Sequence, residues 1–147
     1  MNKLQEKTFL GIDYGTKRIG LAVGDTSSNV AKAFKIIHQF KELKDIVPAK
    51  QIQAFVMGLP LQPDGTEGMV CDNARLFAKK LTDEFHLPIY WVDERLTSKR
   101  AEDFLRDTLY MRPDKRKNIL DAESARIILQ MFLDDLKKWK NCFAFLL

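Results

Sequence analysis

Cysteine, histidine and long apolar runs are scarce in this chain of 147 residues, and each scarcity excludes a class of protein. Cys71 and Cys142 lie far apart with no C-x-x-C spacing, so we expect two free thiols and neither a disulfide framework nor a cysteine zinc site. His38 and His86 belong to no Ser-His-Asp or Cys-His set. No apolar run approaches the ~20 residues that cross a bilayer, and the first residues lack a secretory signal pattern. We therefore expect a cytoplasmic protein with no membrane partner.

The positive charge of the chain is concentrated in clusters. The net charge is only +4, but basic residues stand close together at three places. Such clusters attract polyanions, because each neutralised phosphate releases condensed counterions. A solvated basic face is the alternative, and the clusters by themselves favour it. The candidate nucleic-acid contacts are Lys17 and Arg18; Arg95, Lys99 and Arg100; and Arg112, Lys115, Arg116 and Lys117.

The order of apolar segments predicts an α/β fold. The length of the chain suits a single domain, with a core at about residues 8–138 and an apolar tail at 139–147. A three-strand antiparallel meander followed by alternating helices and parallel strands implies a mixed sheet with helices on both faces. The predicted strands are TFLGIDYG, RIGLAVGD, VAKAFKIIHQF, and the two buried strands QAFVMGLP and LPIYWVDE. Helices are predicted at 41–50, from Val70 to Phe85, after Thr97 or Ser98, and from Ala125 to Leu136, with loops at 61–68 and 108–118. The apolar side of the second helix is predicted at Val70, Ala74, Phe77, Leu81 and Phe85.

One acid lies inside the first predicted strand. Asp13 stands between Ile12 and Tyr14, where an isolated buried charge would be very costly. Strand alternation places its side chain on the face opposite Leu10 and Ile12. The ordinary alternative is an aspartate that caps the following Gly-Thr turn.

Two further acids follow the same logic. Glu94 comes at the carboxyl end of a predicted parallel strand, where ligands gather in open α/β sheets. Its neighbour Asp93 is the rival, since alternation sends the two side chains to opposite faces, and both could merely pair with Arg95 or Lys99. Asp121 begins the last helix at the top of its apolar stripe, although an acid is also favoured there by the helix macrodipole.

Three acids that converge on one crevice would repel each other unless cations lie among them. Oxygen ligands select Mg²⁺ or Mn²⁺ rather than zinc. Two such ions, about 4 Å apart, stabilise the attacking and the leaving oxygen of an in-line phosphoryl displacement. The residues therefore predict a metal site suited to phosphoryl chemistry, with Asp13, Asp121 and either Glu94 or Asp93 as catalytic, metal-binding residues.

Four blocks of the chain closely resemble a known family. GIDYGTKRIGLAVGD, VMGLPLQPDGTEG, VDERLTS and DAESARIILQMFLDD, in this order and spacing, resemble the YqgF family of bacterial RNase H-like proteins. The resemblance implies an RNase H-like fold and a metal-assisted nuclease. It puts the acidic positions of the family on Asp13, Glu94 and Asp121, which favours Glu94 over Asp93. Basic positions of the family fall on Arg18 and Arg95.

The resemblance also implies a substrate. Trimming of the 5′ end of the 16S rRNA precursor is favoured, with ribosomal particles as partners, and resolution of Holliday junctions is the alternative. Junction resolution needs two active sites and hence a symmetric dimer, so monomer and homodimer both stay open. Two other classes are a non-catalytic nucleic-acid-binding module and an actin-like nucleotide-binding domain, the latter suggested by D-x-G-T at Asp13, Gly15 and Thr16.

Two departures from the family pattern stand out. Paired alanines commonly follow the last aspartate, whereas this chain has Ser124-Ala125, and so small a serine changes little. The tail extends beyond the usual end of the last helix, and its segment from Phe143 to Leu147 is apolar. We expect this segment to dock on the protein's own surface or on a second copy.

Overall fold

The structure, a computed structural model, describes residues 6–94 and 122–137. It opens with three strands, β1 (Thr8–Tyr14), β2 (Ile19–Asp25) and β3 (Ala31–Ile37). A 3-10 turn at Phe40–Glu42 then leads into α1 (Leu43–Ala49). β4 (Ala54–Leu59), α2 (Met69–Phe85) and β5 (Ile89–Asp93) follow. Residues 122–137 are helical and are called the 122–137 helix below.

The five strands form one mixed sheet in the order β3-β2-β1-β4-β5. β1 pairs antiparallel with β2, and β2 with β3. β4 pairs parallel with both β1 and β5. The predicted meander with added parallel strands is confirmed. Because β1, β4 and β5 run in the same direction, their carboxyl ends share one edge of the sheet, with β4 in the middle.

Helices cover both faces of the sheet, as predicted. Leu10 and Ile12 of β1 lie in a core with residues of α1 and α2. Phe9 lies in a second core with Ile128 and Leu129 of the 122–137 helix. Neighbouring residues of one strand therefore contribute to opposite layers, as the period of a strand requires.

The 122–137 helix packs close to β1 at Gly11. A Cβ atom at this glycine would lie 2.8 Å from Cβ of Leu129 and 3.0 Å from the carbonyl oxygen of Ala125. Ala125, Ile128 and Leu129 are buried, which confirms the predicted apolar stripe of the last helix. Glycine at position 11 thus sets how near the helix comes to the sheet.

Two predictions about burial were wrong in detail. Val70 was expected on the buried side of α2, but it is 59% exposed and Cys71 takes the place in the core. The buried Cys71 is a free thiol, as predicted, and donates to the carbonyl oxygen of Pro60 at 3.3 Å. β5 was expected to be buried on both faces, yet it is mostly half-buried, since it is the outermost strand beside β4.

Several predictions fall outside the described residues. These are the helix after Thr97 or Ser98, the loop at 108–118, Cys142 and the tail at 139–147. Within residues 6–94 and 122–137, no helix combines the length and the apolar character that crossing a membrane needs.

Candidate active site

Asp13 lies at the carboxyl edge of the sheet, one residue before the end of β1. Alternation puts its side chain on the same face as Gly11, which is the face of the 122–137 helix. Leu10 and Ile12 point into the opposite core. The face predicted for Asp13 is therefore confirmed.

Glu94 and Asp93 are separated by the same alternation at the end of β5. Trp91 packs against the core of α1 and α2, whereas Val92 packs against the core of the 122–137 helix. Glu94 follows the face of Val92, and Asp93 follows that of Trp91. Glu94 is thus the one that shares a face with Asp13, a choice that spacing along the chain left open.

The side chain of Glu94 crosses the neighbouring strand to reach Asp13. At Gly58 of β4, a Cβ atom would lie 2.5 Å from Cγ and 2.6 Å from Cδ of Glu94. Sequence reasoning missed Gly58 as part of this site. Gly58 does belong to the block VMGLPLQPDGTEG that carries part of the family resemblance. Nothing in the spacing of residues, however, shows that a side chain from another strand occupies the space above this glycine.

Asp13 and Glu94 form a hydrogen-bonded carboxyl pair. The pKa of Glu94 is raised from 4.5 to about 8, first by burial and then by the nearby negative charge of Asp13. The hydrogen bond to Asp13 and the charge of Asp93 raise this pKa further. At neutral pH, Glu94 therefore keeps its proton and donates it to the Asp13 carboxylate.

The turn between β1 and β2 carries two of the predicted basic residues to this edge. Lys17 is exposed and Arg18 is partly buried, four and five residues after Asp13. The backbone carbonyl of Lys17 lies 3.3 Å from Nδ1 of His38. His38 thus contacts the backbone of this turn and has no contact with the carboxyl pair among its described interactions.

The loop at residues 61–68 follows β4 at the same edge and has internal order. The backbone N–H of Gln62 donates to the carbonyl of Thr66 at 2.8 Å, and that of Gly65 donates to Gln62 at 2.8 Å. Arg75 of α2 donates to Glu67 at 2.5 Å, and its guanidinium lies 5.0 Å from the ring centroid of Trp91. These contacts attach the loop to α2 through Arg75, which in turn contacts Trp91 of β5.

The remaining predicted site residues lie outside the described part of the chain. Within residues 6–94 and 122–137, no group of three or more metal-ligating side chains occurs, so the described site consists of the carboxyl pair. The residues outside are Asp121, Arg95, Lys99, Arg100, Arg112, Lys115, Arg116 and Lys117.

Comparison with known proteins identifies the family. A family model described as "RuvX: Holliday junction resolvase" matches residues 7–135. The chain belongs to the RuvX family. A protein of Burkholderia ambifaria named "Putative pre-16S rRNA nuclease" is 42% identical over 138 residues, covering 90% of this chain and 92% of the relative. A protein of the same name from Burkholderia multivorans is 40% identical over the same share of both chains.

Two solved structures share the fold of this RuvX-family chain. Thermus thermophilus RuvC in complex with a Holliday junction substrate matches with a TM-score of 0.52 and 15% identity, over 86% of this chain and 93% of that one. A second Thermus thermophilus RuvC structure matches with a TM-score of 0.53 and 13% identity, over 89% and 96%. These matches confirm the RNase H-like fold.

The carboxyl pair fits a hard divalent cation. Asp13 and Glu94 supply only oxygen donors, which Mg²⁺ and Mn²⁺ prefer over nitrogen or sulfur. They already lie within hydrogen-bonding distance of each other, and both are partly buried. A cation between them would replace the proton of Glu94 and remove the repulsion between the two ionised groups.

Proposed function

We propose that this RuvX-family chain is a metal-dependent nuclease that hydrolyses phosphodiester bonds in structured nucleic acid. The observation that carries the proposal is the contact between Asp13 and Glu94 at the carboxyl edge of the sheet. Two partly buried acids in contact are unfavourable for folding, so their presence points to a purpose other than stability. That edge is also where ligands bind in open α/β sheets.

Asp13 and Glu94 would hold the cation, and we propose Asp121 as the third acidic ligand. Asp121 stands four residues before Ala125, whose carbonyl lies against Gly11 on the same face of β1. Bound Mg²⁺ or Mn²⁺, two ions with substrate present, would stabilise charge on the attacking and leaving oxygens. The chain's own part is to fix the carboxylate oxygens and to release the Glu94 proton when the cation enters.

The basic residues at 17, 18, 95, 99, 100, 112, 115, 116 and 117 are proposed to hold the nucleic-acid backbone. Lys17 supports this role from the described part, because its exposed side chain is in the turn that directly follows Asp13. A phosphate contact there would position the backbone without reading sequence.

The 5′ leader of the 16S rRNA precursor is the substrate we propose, with ribosomal particles as partners in the cytoplasm. Support comes from the names of curated relatives that match 90% of the chain at 40–42% identity. A four-way DNA junction is the second candidate, favoured by the description of the matching family. The chemistry would be the same, and only the surface that recognises RNA shape or a branched duplex would differ.

An Mn²⁺-dependent cleavage assay on both substrates tests the proposal. A 16S precursor leader and a four-way DNA junction of matched length are incubated with the protein at equal concentration. We expect faster cleavage of the leader than of the junction. Preferential, symmetric cleavage of the junction by a dimer would reverse the substrate assignment, and failure to cleave either in Mn²⁺ would contradict the nuclease.

A further inference from the structure

We infer that Gly58 is a positioning residue of the active site, because its missing side chain leaves the space through which Glu94 reaches Asp13. The inference rests on the proposed metal-binding role of the carboxyl pair. It concerns a residue that neither touches substrate nor binds the cation, and that acts only through Glu94.

The strand order creates the problem that Gly58 solves. Asp13 belongs to β1, Glu94 follows β5, and β4 runs between the two strands. Neighbouring strands are about 4.8 Å apart, so β1 and β5 are separated by roughly twice that distance. A carboxyl group from the end of β5 must therefore pass directly over the backbone of β4 to contact Asp13.

Gly58 is the residue of β4 at the point of crossing. It pairs with Val92 in the parallel register, two residues before Glu94. Val56, two residues earlier, packs into the core of the 122–137 helix, so position 58 faces the same side of the sheet as Asp13 and Glu94. Any side chain at 58 would project into the path of Glu94.

The nearest atoms to a side chain at Gly58 belong to Glu94. The three heavy atoms nearest to a Cβ built there are Oε1, Cγ and Cδ of Glu94, the latter two at 2.5 and 2.6 Å. Real Cβ atoms do not approach other heavy atoms this closely, so Glu94 would have to turn away. At Gly11, by contrast, the nearest atoms belong to the packed 122–137 helix.

A side chain at 58 would displace Glu94 and leave the sheet intact. Alanine is in fact a better strand residue than glycine, because glycine loses more backbone entropy on folding. The glycine therefore carries a small cost to the sheet in return for a carboxylate placed beside Asp13. Gly58→Ala should weaken the metal site about as much as loss of Glu94 itself.

The test measures Mn²⁺ binding by calorimetry without nucleic acid, beside far-UV circular dichroism and thermal unfolding. The variants are Gly58→Ala, Glu94→Ala, the double variant and Val56→Ala. We expect Gly58→Ala and Glu94→Ala to lower the affinity for Mn²⁺ by similar factors. The loss should be at least the roughly 10- to 100-fold that is typical when a residue supporting a metal ligand is removed. The double variant should bind Mn²⁺ as weakly as Glu94→Ala alone, because the effects of two residues that act through one group do not add. Val56→Ala, a matched change on the same strand and face, should lower the unfolding temperature and spare Mn²⁺ affinity.

The outcomes separate this inference from the proposed function. Loss of Mn²⁺ affinity in Glu94→Ala but not in folded Gly58→Ala would overturn the role of Gly58 and leave the metal site standing. Unchanged affinity in Glu94→Ala, or no Mn²⁺ binding by the wild type, would overturn the metal site and the inference together. If Gly58→Ala fails to fold, recovery of folding in the double variant supports the steric conflict with Glu94, and failure of both overturns it.

Discussion

Asp13 and Glu94 illustrate how two carboxyl groups in contact can mark a functional site. The two carboxyl groups come from strands that are not neighbours in the sheet. Burial, together with the charges of Asp13 and Asp93 and the hydrogen bond to Asp13, raises the pKa of Glu94 to about 8. Two apolar side chains of similar size would pack there without this penalty. The pair is therefore better explained by a ligand with positive charge than by the needs of the fold.

Replacement of Asp13 tests the pair directly. Asp13→Asn removes the negative charge but keeps the size and a hydrogen-bonding partner for Glu94. We expect Mn²⁺-dependent cleavage to fall by more than about 100-fold, since even residues that only support metal ligands cost 10- to 100-fold. The rate is measured with the substrate that proves better in the cleavage assay. Asp83→Asn, at an exposed position of α2, is the matched control and should keep the wild-type rate.

The raised pKa of Glu94 predicts how stability without metal depends on pH. Between pH 4.5 and about 8, folded Glu94 keeps a proton that the unfolded chain has released. Stability therefore falls as pH rises through this range, and this contribution stops changing above about pH 8. The measurement is the unfolding temperature of metal-free wild type and Glu94→Gln from pH 5 to 8.5.

Glu94→Gln serves as the reference because glutamine is neutral at every pH and can still donate to Asp13. The unfolding temperature of the wild type should fall relative to that of Glu94→Gln as pH rises towards 8. Other titrating groups cancel in the comparison. A difference that is constant with pH would mean that the pKa of Glu94 is near its ordinary value.

At the scale of whole elements, much of this fold could be predicted from the sequence. The continuous apolar run of β4 and the stripe through Ala125, Ile128 and Leu129 reflect burial that depends mainly on local period. The burial of β5 was predicted wrongly, because a similar apolar run occurs in a central and in an outer strand. The space above Gly58 was not predictable either, since it depends on β4 lying between β1 and β5.

The packing of the 122–137 helix on β1 gives a prediction for an element. Gly11→Ala places a methyl group 3.0 Å from the carbonyl oxygen of Ala125, a backbone atom that moves only if the helix moves. We expect a loss of about 1–3 kcal/mol in the free energy of unfolding, as for other overpacked cores. Urea unfolding measures it. A midpoint equal to that of the wild type would show that the helix adjusts freely.

For the whole molecule, the question is which edge of the sheet meets nucleic acid. The carboxyl pair and the turn with Lys17 lie at the carboxyl edge of β1. Lys32 and Lys50 line a groove beside Val23 and Gly24, near the end of β2 and hence at the opposite edge of the sheet. The net charge of +4 does not distinguish the two edges, since Lys17 lies at one edge and Lys32 and Lys50 lie at the other.

Neutralising charges in pairs tests the predicted nucleic-acid contacts through the salt dependence of binding. Arg116→Ala with Lys117→Ala should weaken binding of the catalytically silent Asp13→Asn protein to nucleic acid. Each lost phosphate contact lowers the slope of log K against log salt by about 0.7 on single strands and about 0.9 on duplex. The matched control, Lys32→Ala with Lys50→Ala, removes the same charge from the groove beside Val23 and Gly24 and should leave the slope unchanged. If the Arg116→Ala, Lys117→Ala double variant leaves the slope unchanged, that cluster is a solvated loop. If the control variant lowers the slope by the same amount, binding depends on net charge and not on a particular surface.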